Sequence, residues 1–317
     1  MLFRSGTEYR RSGFVVGRAV SAAGAIPQLV SVMACTQPVV IDVACDPSAL
    51  ADLAVAALID EACLTPKPAL VDRRGSGAHR DLDLDTMLRS ARSLRPTFLA
   101  LARAAVDQEP SQRLREQLAR IGREGEVAML RATNGSNAHR GAIWIVGLLC
   151  AAAAMCPSCE PLELCAQAAA IARFEDRFAP APKAMSNGAR VVQRFGVAGA
   201  RGQAADGFPH VLEAGLPELH RSRANGATEG EAQLDALLAI IATLDDTCLL
   251  HRGGQVALEA AQTGAREVLR AGGAARPRGR AALSRLDQRL TELNASPGGA
   301  ADLLAATLFL DTLPHVG

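Results

Sequence analysis

Charges of both signs crowd one stretch of this sequence, Glu61 to Asp83. It sets Glu61, Asp72, Asp81 and Asp83 among Lys67, Arg73, Arg74 and Arg80. Pro66, Pro68, the turn-type residues Gly75, Ser76 and Gly77, and His79 complete the stretch. A linker between two segments of helical pattern needs no such mixture. A pocket for a metal-bound polyphosphate does, because hard cations take carboxylate oxygens and phosphates take Lys and Arg.

The elements that must position these groups can be read from punctuation and periodicity. Asp46 is suited to cap a helix, Pro47 to its first position, and Thr65-Pro66 to stop it near Leu64. Glu61 falls on that helix's apolar stripe, four residues after Ala57, and a carboxylate on a buried face needs a partner or a metal. Asp83 or Asp85 starts the next helix, which Pro96 should kink. Another covers roughly 111–131. The polar loop Thr133–Gly141 then opens into an apolar helix, Ala142 to Met155, and offers free backbone N–H groups suited to an anion.

Pro161 to Phe178 reads as a helix, and Gly196–Gly202 as a second Gly-rich loop carrying Arg201. Residues 221–230 read as a surface loop. Leu234 to Leu250 reads as one amphipathic helix with Asp245 on its apolar stripe and Asp246 beside it, ended by His251–Gly254. A basic, solvated helix around Arg278–Arg289 and a final apolar helix, Ala300 to Leu313, close the chain.

Bulk composition narrows the class. With 317 residues and 49% hydrophobic content, the chain can bury a sizeable core. Alanine and leucine dominate, and Val39–Val43 is the one strand-like run, so the fold expected is all-α. A net charge of +1 and 3% aromatic residues argue against nucleic acid as a partner. No segment has the run of about 20 clean apolar residues that a membrane span requires. The eight cysteines do not resemble a disulfide framework, and Cys156-Pro157-Ser158-Cys159 reads as a turn between helices. Arg10-Arg11 precedes a mildly apolar run, but Arg18 interrupts it, so residues 1–45 are expected to be a poorly ordered extension of a cytoplasmic protein. Residues 46–317 would then form a single large multi-helix domain around a central polar nucleotide pocket.

Four segments carry a common pattern. They are Leu64–Arg73 with Gly77–Asp83, Asn137–Ile143, Gly199–His210 and Leu244–Gly254. In that order they resemble the triphosphoribosyl-dephospho-coenzyme A synthases, all-helical enzymes serving citrate lyase and malonate decarboxylase, with the malonate branch the closer. The match covers about residues 48–255, and the tail beyond is expected to belong to it. Ala69, Ala138, Gln203 and Cys248 depart from the family pattern, and none of them is a Lys, His, Asp or Arg position.

The resemblance implies a reaction. The 2′-hydroxyl of 3′-dephospho-CoA attacks the ribose C1 of ATP, adenine leaves, and the triphosphate stays on the transferred ribose. The product is the precursor of a prosthetic group that a separate transferase attaches to an acyl carrier subunit. Mg²⁺ is the implied cofactor, with Glu61, Asp81, Asp245 and Asp246 as its carboxylates. Lys67, Arg73, Asn137, Arg140, Arg201 and Arg252 are the implied nucleotide-binding residues. The attacking hydroxyl needs a base and the departing adenine an acid, for which His79, His139, Asp72 and Asp245 are the candidates. Positive charge developing at the anomeric carbon would be stabilised by a nearby carboxylate.

Plainer readings stand beside these. Asp72-Arg73 also suits a loop salt bridge, His79 a brace for the turn, His139 a helix cap and Asp246 a solvent-facing acid. Read without the resemblance, acids on facing helices suit a metal-dependent nucleotide phosphohydrolase. A non-catalytic helical adaptor of a decarboxylase complex is the third reading. A homodimer is left open.

Overall fold

The structure, a computed structural model, describes residues 46–156, 158–180 and 185–313. The expectations for residues 1–45, including the Val39–Val43 run, lie outside them. Helices account for nearly all of the described regular structure. No β-strand occurs among the described residues, only an isolated antiparallel bridge between Asp72 and Gly75. The all-α expectation holds.

The centre of the fold is α5 (Arg140–Met155), a helix buried almost all round from Ala142 to Ala154. Around it pack α1 (Pro47–Cys63), α3 (Arg95–Ala105), α4 (Gln112–Ala132), α6 (Pro161–Ala172) and α13 (Gly298–Thr312). α2 (Leu84–Ser93) lies against α1 and α4. A helix apolar on every side has to be enclosed in this way, since each fully buried Leu or Ile contributes about 1.5–3 kcal/mol. A second group follows in sequence: α7 (Asn187–Phe195), α8 (Gly199–Ala205), a π-helical turn Val211–Gly215, α9 (Leu216–Ala224), α10 (Glu229–Ile241), α11 (Thr247–Arg270) and α12 (Pro277–Glu292). The equally apolar α13 joins the groups by packing on α5 and α1 on one side and on α10 and α11 on the other.

Several local readings hold for the stated reasons. Asp46 accepts hydrogen bonds from the N–H groups of Ser48 and Ala49 at the start of α1. Asp83 caps α2 and Ser111 caps α4. At Pro96 the chain forms two helices that meet at Leu94, not one kinked helix.

Other readings need correction. Leu234–Leu250 is not one helix. It breaks between Ile241 and Thr247, because Asp246 accepts the N–H groups of Cys248 and Leu249 and so begins a new helix. Asp245 consequently sits exposed in the break, while Asp246 is buried. His251–Gly254 does not end α11, which continues through a non-helical Gly254 (φ 62°). The second Gly-rich loop is mostly helical, with Arg201 on α8. The surface loop shrinks to 225–228, since Thr228 and Glu231 form a capping box that starts α10 early. α6 stops at Ala172, short of Phe178. Cys156 and Cys159, read as a plain turn, are joined by a disulfide.

Candidate active site

The charged stretch becomes an ordered loop after α1. Its first acid, Glu61, is buried, and the Glu61 carboxylate accepts a 2.6 Å hydrogen bond from the ammonium of Lys67, itself only 1% exposed. The same ammonium donates to the Glu61 carbonyl. Asp72 shapes the loop that delivers Lys67. It accepts from the Lys67 and Arg74 backbone N–H groups and from the Arg74 guanidinium, which also pairs with Asp287 on α12. Gly77 holds φ +56° with the carbonyls of Ala69 and Leu70 2.5 Å from where a Cβ would sit, so only glycine allows this turn.

His79 follows that turn and uses both ring nitrogens. The Arg252 guanidinium, which can only donate, lies 3.1 Å from Nδ1. Nδ1 therefore accepts, and Nε2–H donates to Ser296 Oγ at 2.9 Å. Burial, then the neighbouring Arg252, lowers the His79 pKa to about 4, against an opposing pull from Asp81. His139, just before α5, is 2% exposed, with Nδ1 2.7 Å from Ser90 Oγ and no partner for Nε2 among the described residues. Burial and the positive Lys67 hold its pKa near 3.

Three helix N-termini converge beside these groups. Asp246 accepts from Cys248 and Leu249 at the start of α11 and from Ala300 at the start of α13. Burial pushes its carboxyl above the usual range in spite of those bonds. Asp302, in the first turns of α13, lies against the start of α5. Its Oδ2 is 2.0 Å from where a Cβ on Gly141 would be, and it accepts the Ala142 N–H. Burial, then the adjacent charges of Glu61 and Asp246, raise the Asp302 carboxyl well above its usual value.

These groups face one cavity of about 1420 Å³. It brings together Glu61, Lys67, His79, Asp81, Asn137, His139, Arg140, Arg201, Asp245, Asp246 and Arg252, as well as Asp302, Ser296, Arg115 and Trp144. Asp72 and Arg73 do not line it. Asp72 is used up by the loop, and Arg73 is exposed, its backbone N–H donating to Thr65 Oγ1. Asp81 and Asp245 are exposed at the cavity. Asn137 accepts the Arg140 N–H, and the Arg140 guanidinium pairs with Glu126. Arg201 makes no ion pair or side-chain hydrogen bond among the described residues, which leaves its charge for a ligand.

Asp302 was not singled out by the sequence, although it is one of two acids in an otherwise apolar helix and so carries the same signal that marked Glu61. Ser90, Ser296, Arg115 and Trp144 carry no such signal, because their importance comes from what the fold places opposite them. For a metal, no group of three or more His, Cys, Asp or Glu side chains among the described residues is drawn together to hold an ion alone. The donor set still fits Mg²⁺. Among the described residues Asp302 has no ion-pair partner, the charges that act on it are two further acids, and Mg²⁺ is held by one or two carboxylates with phosphates and waters.

Comparison with known proteins gives the family. A model of the ATP:dephospho-CoA triphosphoribosyl transferase family matches residues 47–317. The chain belongs to this family. A relative from Azotobacter vinelandii, named a probable 2-(5''-triphosphoribosyl)-3'-dephosphocoenzyme-A synthase, is 60% identical over 270 residues, covering 84% of this chain and 92% of that protein. One from Klebsiella pneumoniae, named as the same synthase, is 57% identical over 263 residues, covering 83% and 93%. No solved structure matches the chain. The matched span takes in every residue named at this cavity, from Glu61 on α1 to Asp302 on α13. It therefore extends past the four sequence motifs to the last helix.

Proposed function

We propose that the chain transfers the 5-triphosphoribosyl group of ATP to the 2′-hydroxyl of 3′-dephospho-CoA and releases adenine. The bond from ribose C1 to the adenine nitrogen breaks, and a bond from C1 to the 2′-oxygen forms. The hydroxyl proton leaves to a base, and adenine takes up a proton. The observation that carries this reading is the convergence of three helix N-termini on one cavity in which Asp302 has no cation partner among the described residues. N-terminal N–H groups suit phosphate, and the acids suit a metal and a cationic transition state.

Mg²⁺, held by Asp302 together with the phosphates and waters, would neutralise the triphosphate. Arg201 and Arg252 face the same space and supply further positive charge. His139 stays neutral at physiological pH, so its free Nε2 offers a hydrogen bond to the reacting hydroxyl or to the departing base without a charge to be desolvated. His79, with both nitrogens engaged, acts as a positioning residue for Arg252 and Ser296. Near the anomeric carbon, the acid cluster stabilises developing positive charge. The product is read as the prosthetic-group precursor for a malonate decarboxylase acyl carrier subunit, completed by a separate transferase. The support for this is the resemblance of the four motifs to that branch.

The test is incubation with ATP, Mg²⁺ and dephospho-CoA while free adenine is followed. Adenine release that requires dephospho-CoA is expected. Phosphate or pyrophosphate release in its place would show a hydrolase, and no turnover would favour the adaptor.

A further inference from the structure

Away from Asp302, the cavity holds a group of donors with no acceptor among the described residues. Arg115, in the first turn of α4, is 6% exposed, yet its Nε and Nη1 have no hydrogen-bond partner among the described residues. Its guanidinium lies over the Trp144 ring, 4.6 Å from the centroid, and the indole N–H of Trp144 is also buried and unpartnered. Leaving buried donors unpaired costs about 1–3 kcal/mol each, so a fold keeps them where a ligand supplies the acceptors. The nearby acids are already engaged: Asp176 pairs with Arg123 and Glu116 with Arg177. Arg201 adds a further positive charge to this wall.

We propose that Arg115 and Trp144 form the seat for the pyrophosphate of dephospho-CoA. The inference rests on the transfer reading above and assigns its second substrate. Donors of one sign with no acceptor call for an anion, and guanidinium edges match phosphate oxygens. A metal-bound triphosphate belongs with carboxylates that lack a cation, as Asp302 does in the other part of the cavity, whereas the acids beside this seat, Asp176 and Glu116, are each held by an arginine. The less charged, metal-free pyrophosphate diester matches one desolvated arginine. Beside the seat the wall turns apolar, formed by Leu101, Leu118, Gly147 and Leu148. Such a wall suits the largely aliphatic pantetheine arm attached to that pyrophosphate.

Trp144 is the single tryptophan of the chain, so its fluorescence reports on the seat directly. Titration of the full-length protein with dephospho-CoA should change the emission saturably, and pantetheine alone, which lacks phosphate, should not. Arg115→Lys should weaken dephospho-CoA binding about tenfold or more, because a lysine cannot reproduce the planar fork. The KM for dephospho-CoA in adenine release should rise by a similar factor, with the KM for ATP changed less than about twofold. Trp144→Phe, which keeps a ring face and loses the N–H, should raise the same KM by a smaller factor.

Emission that responds to ATP and not to dephospho-CoA would overturn the seat. So would pantetheine binding as tightly as dephospho-CoA, or a folded Arg115→Lys protein with wild-type KM for dephospho-CoA. If dephospho-CoA binds but no adenine is released, the transfer reading fails and the seat stands. If adenine is released and Arg115→Lys is indifferent to dephospho-CoA, the seat fails and the transfer stands.

Discussion

Asp235 on α10 and Asp302 on α13 are both enclosed aspartates on apolar helices, and burial pushes both carboxyls up. Each also sits against a glycine that leaves room for it: a Cβ on Gly273 would lie 2.3 Å from Asp235, and one on Gly141 2.0 Å from Asp302. Their surroundings differ. Asp235 accepts Ser222 Oγ at 2.8 Å and the Ala274 N–H at 2.7 Å, and it ties α9, α10 and the turn before α12 together away from the large cavity. Asp302 has the Ala142 N–H and then two more acids, and it faces the cavity. The first carboxylate is consumed by its own protein. The second has no cation partner among the described residues, and its burial among acids disfavours the charged form until a cation arrives, which marks a place for one.

That contrast breaks most readily at Asp302. Asp302→Asn keeps the shape of the side chain and removes the charge. Adenine release should fall about 100-fold or more, since carboxylates that hold a metal or stabilise charge at a reacting centre act at that scale. Melting temperature should stay near the wild-type value, because Asn keeps the shape and burial already favours the uncharged form of the Asp302 carboxyl. Near wild-type turnover from this variant would return Asp302 to the same class as Asp235.

The reverse pattern is expected at Asp235. Asp235→Ala strands the Ser222 hydroxyl and the Ala274 N–H in the interior, at about 2–3 kcal/mol in total. For a chain of this size that lowers the melting temperature by roughly 3–5 °C. Turnover per folded molecule should be unchanged. A fall in kcat without loss of stability would show the two acids to be coupled after all.

The comparison also explains what the sequence could and could not disclose. Glu61 was legible because a good cap at Asp46 and a clear stop at Thr65-Pro66 fixed the register of α1, and register places a side chain on a face. Asp245 was misplaced for the same kind of reason. The apolar pattern runs unbroken from Leu234 to Leu250, and only the capping bonds of Asp246 to Cys248 and Leu249, made in three dimensions, reveal the break. Periodicity thus exchanged the exposed acid for the buried one. The Thr133–Gly141 loop was read correctly as a helix entrance, but its third-party partners, Ser90 for His139 and Asp302 for Gly141, lie 49 residues before one and far beyond the other. Burial and pairing across such separations are set by packing, which a single sequence does not display.

The smallest expected effect is the pH dependence of stability, in which the histidines and the two acids oppose one another. In the folded protein His79 and His139 have pKa values of about 4 and about 3, against 6.5 for an unperturbed histidine. Between pH 6.5 and those values the unfolded chain holds protons that the folded chain does not, so stability falls as pH drops through that window. Above pH 6.5 neither histidine contributes a slope. Asp235 and Asp302 are shifted upward, so the folded state holds the extra protons above pH 3.8, and acidification through their range adds stability. Urea unfolding from pH 7.5 to 4.5 therefore measures a difference of two trends. His139→Gln should remove up to one proton from the histidine side, flattening the acid limb by about 1.4 kcal/mol per pH unit at most. Asp302→Asn should steepen the same limb. An unchanged slope in His139→Gln would mean that His139 is already charged in the folded protein, and a charged imidazole beside Lys67 would require an anion in the cavity to accompany it.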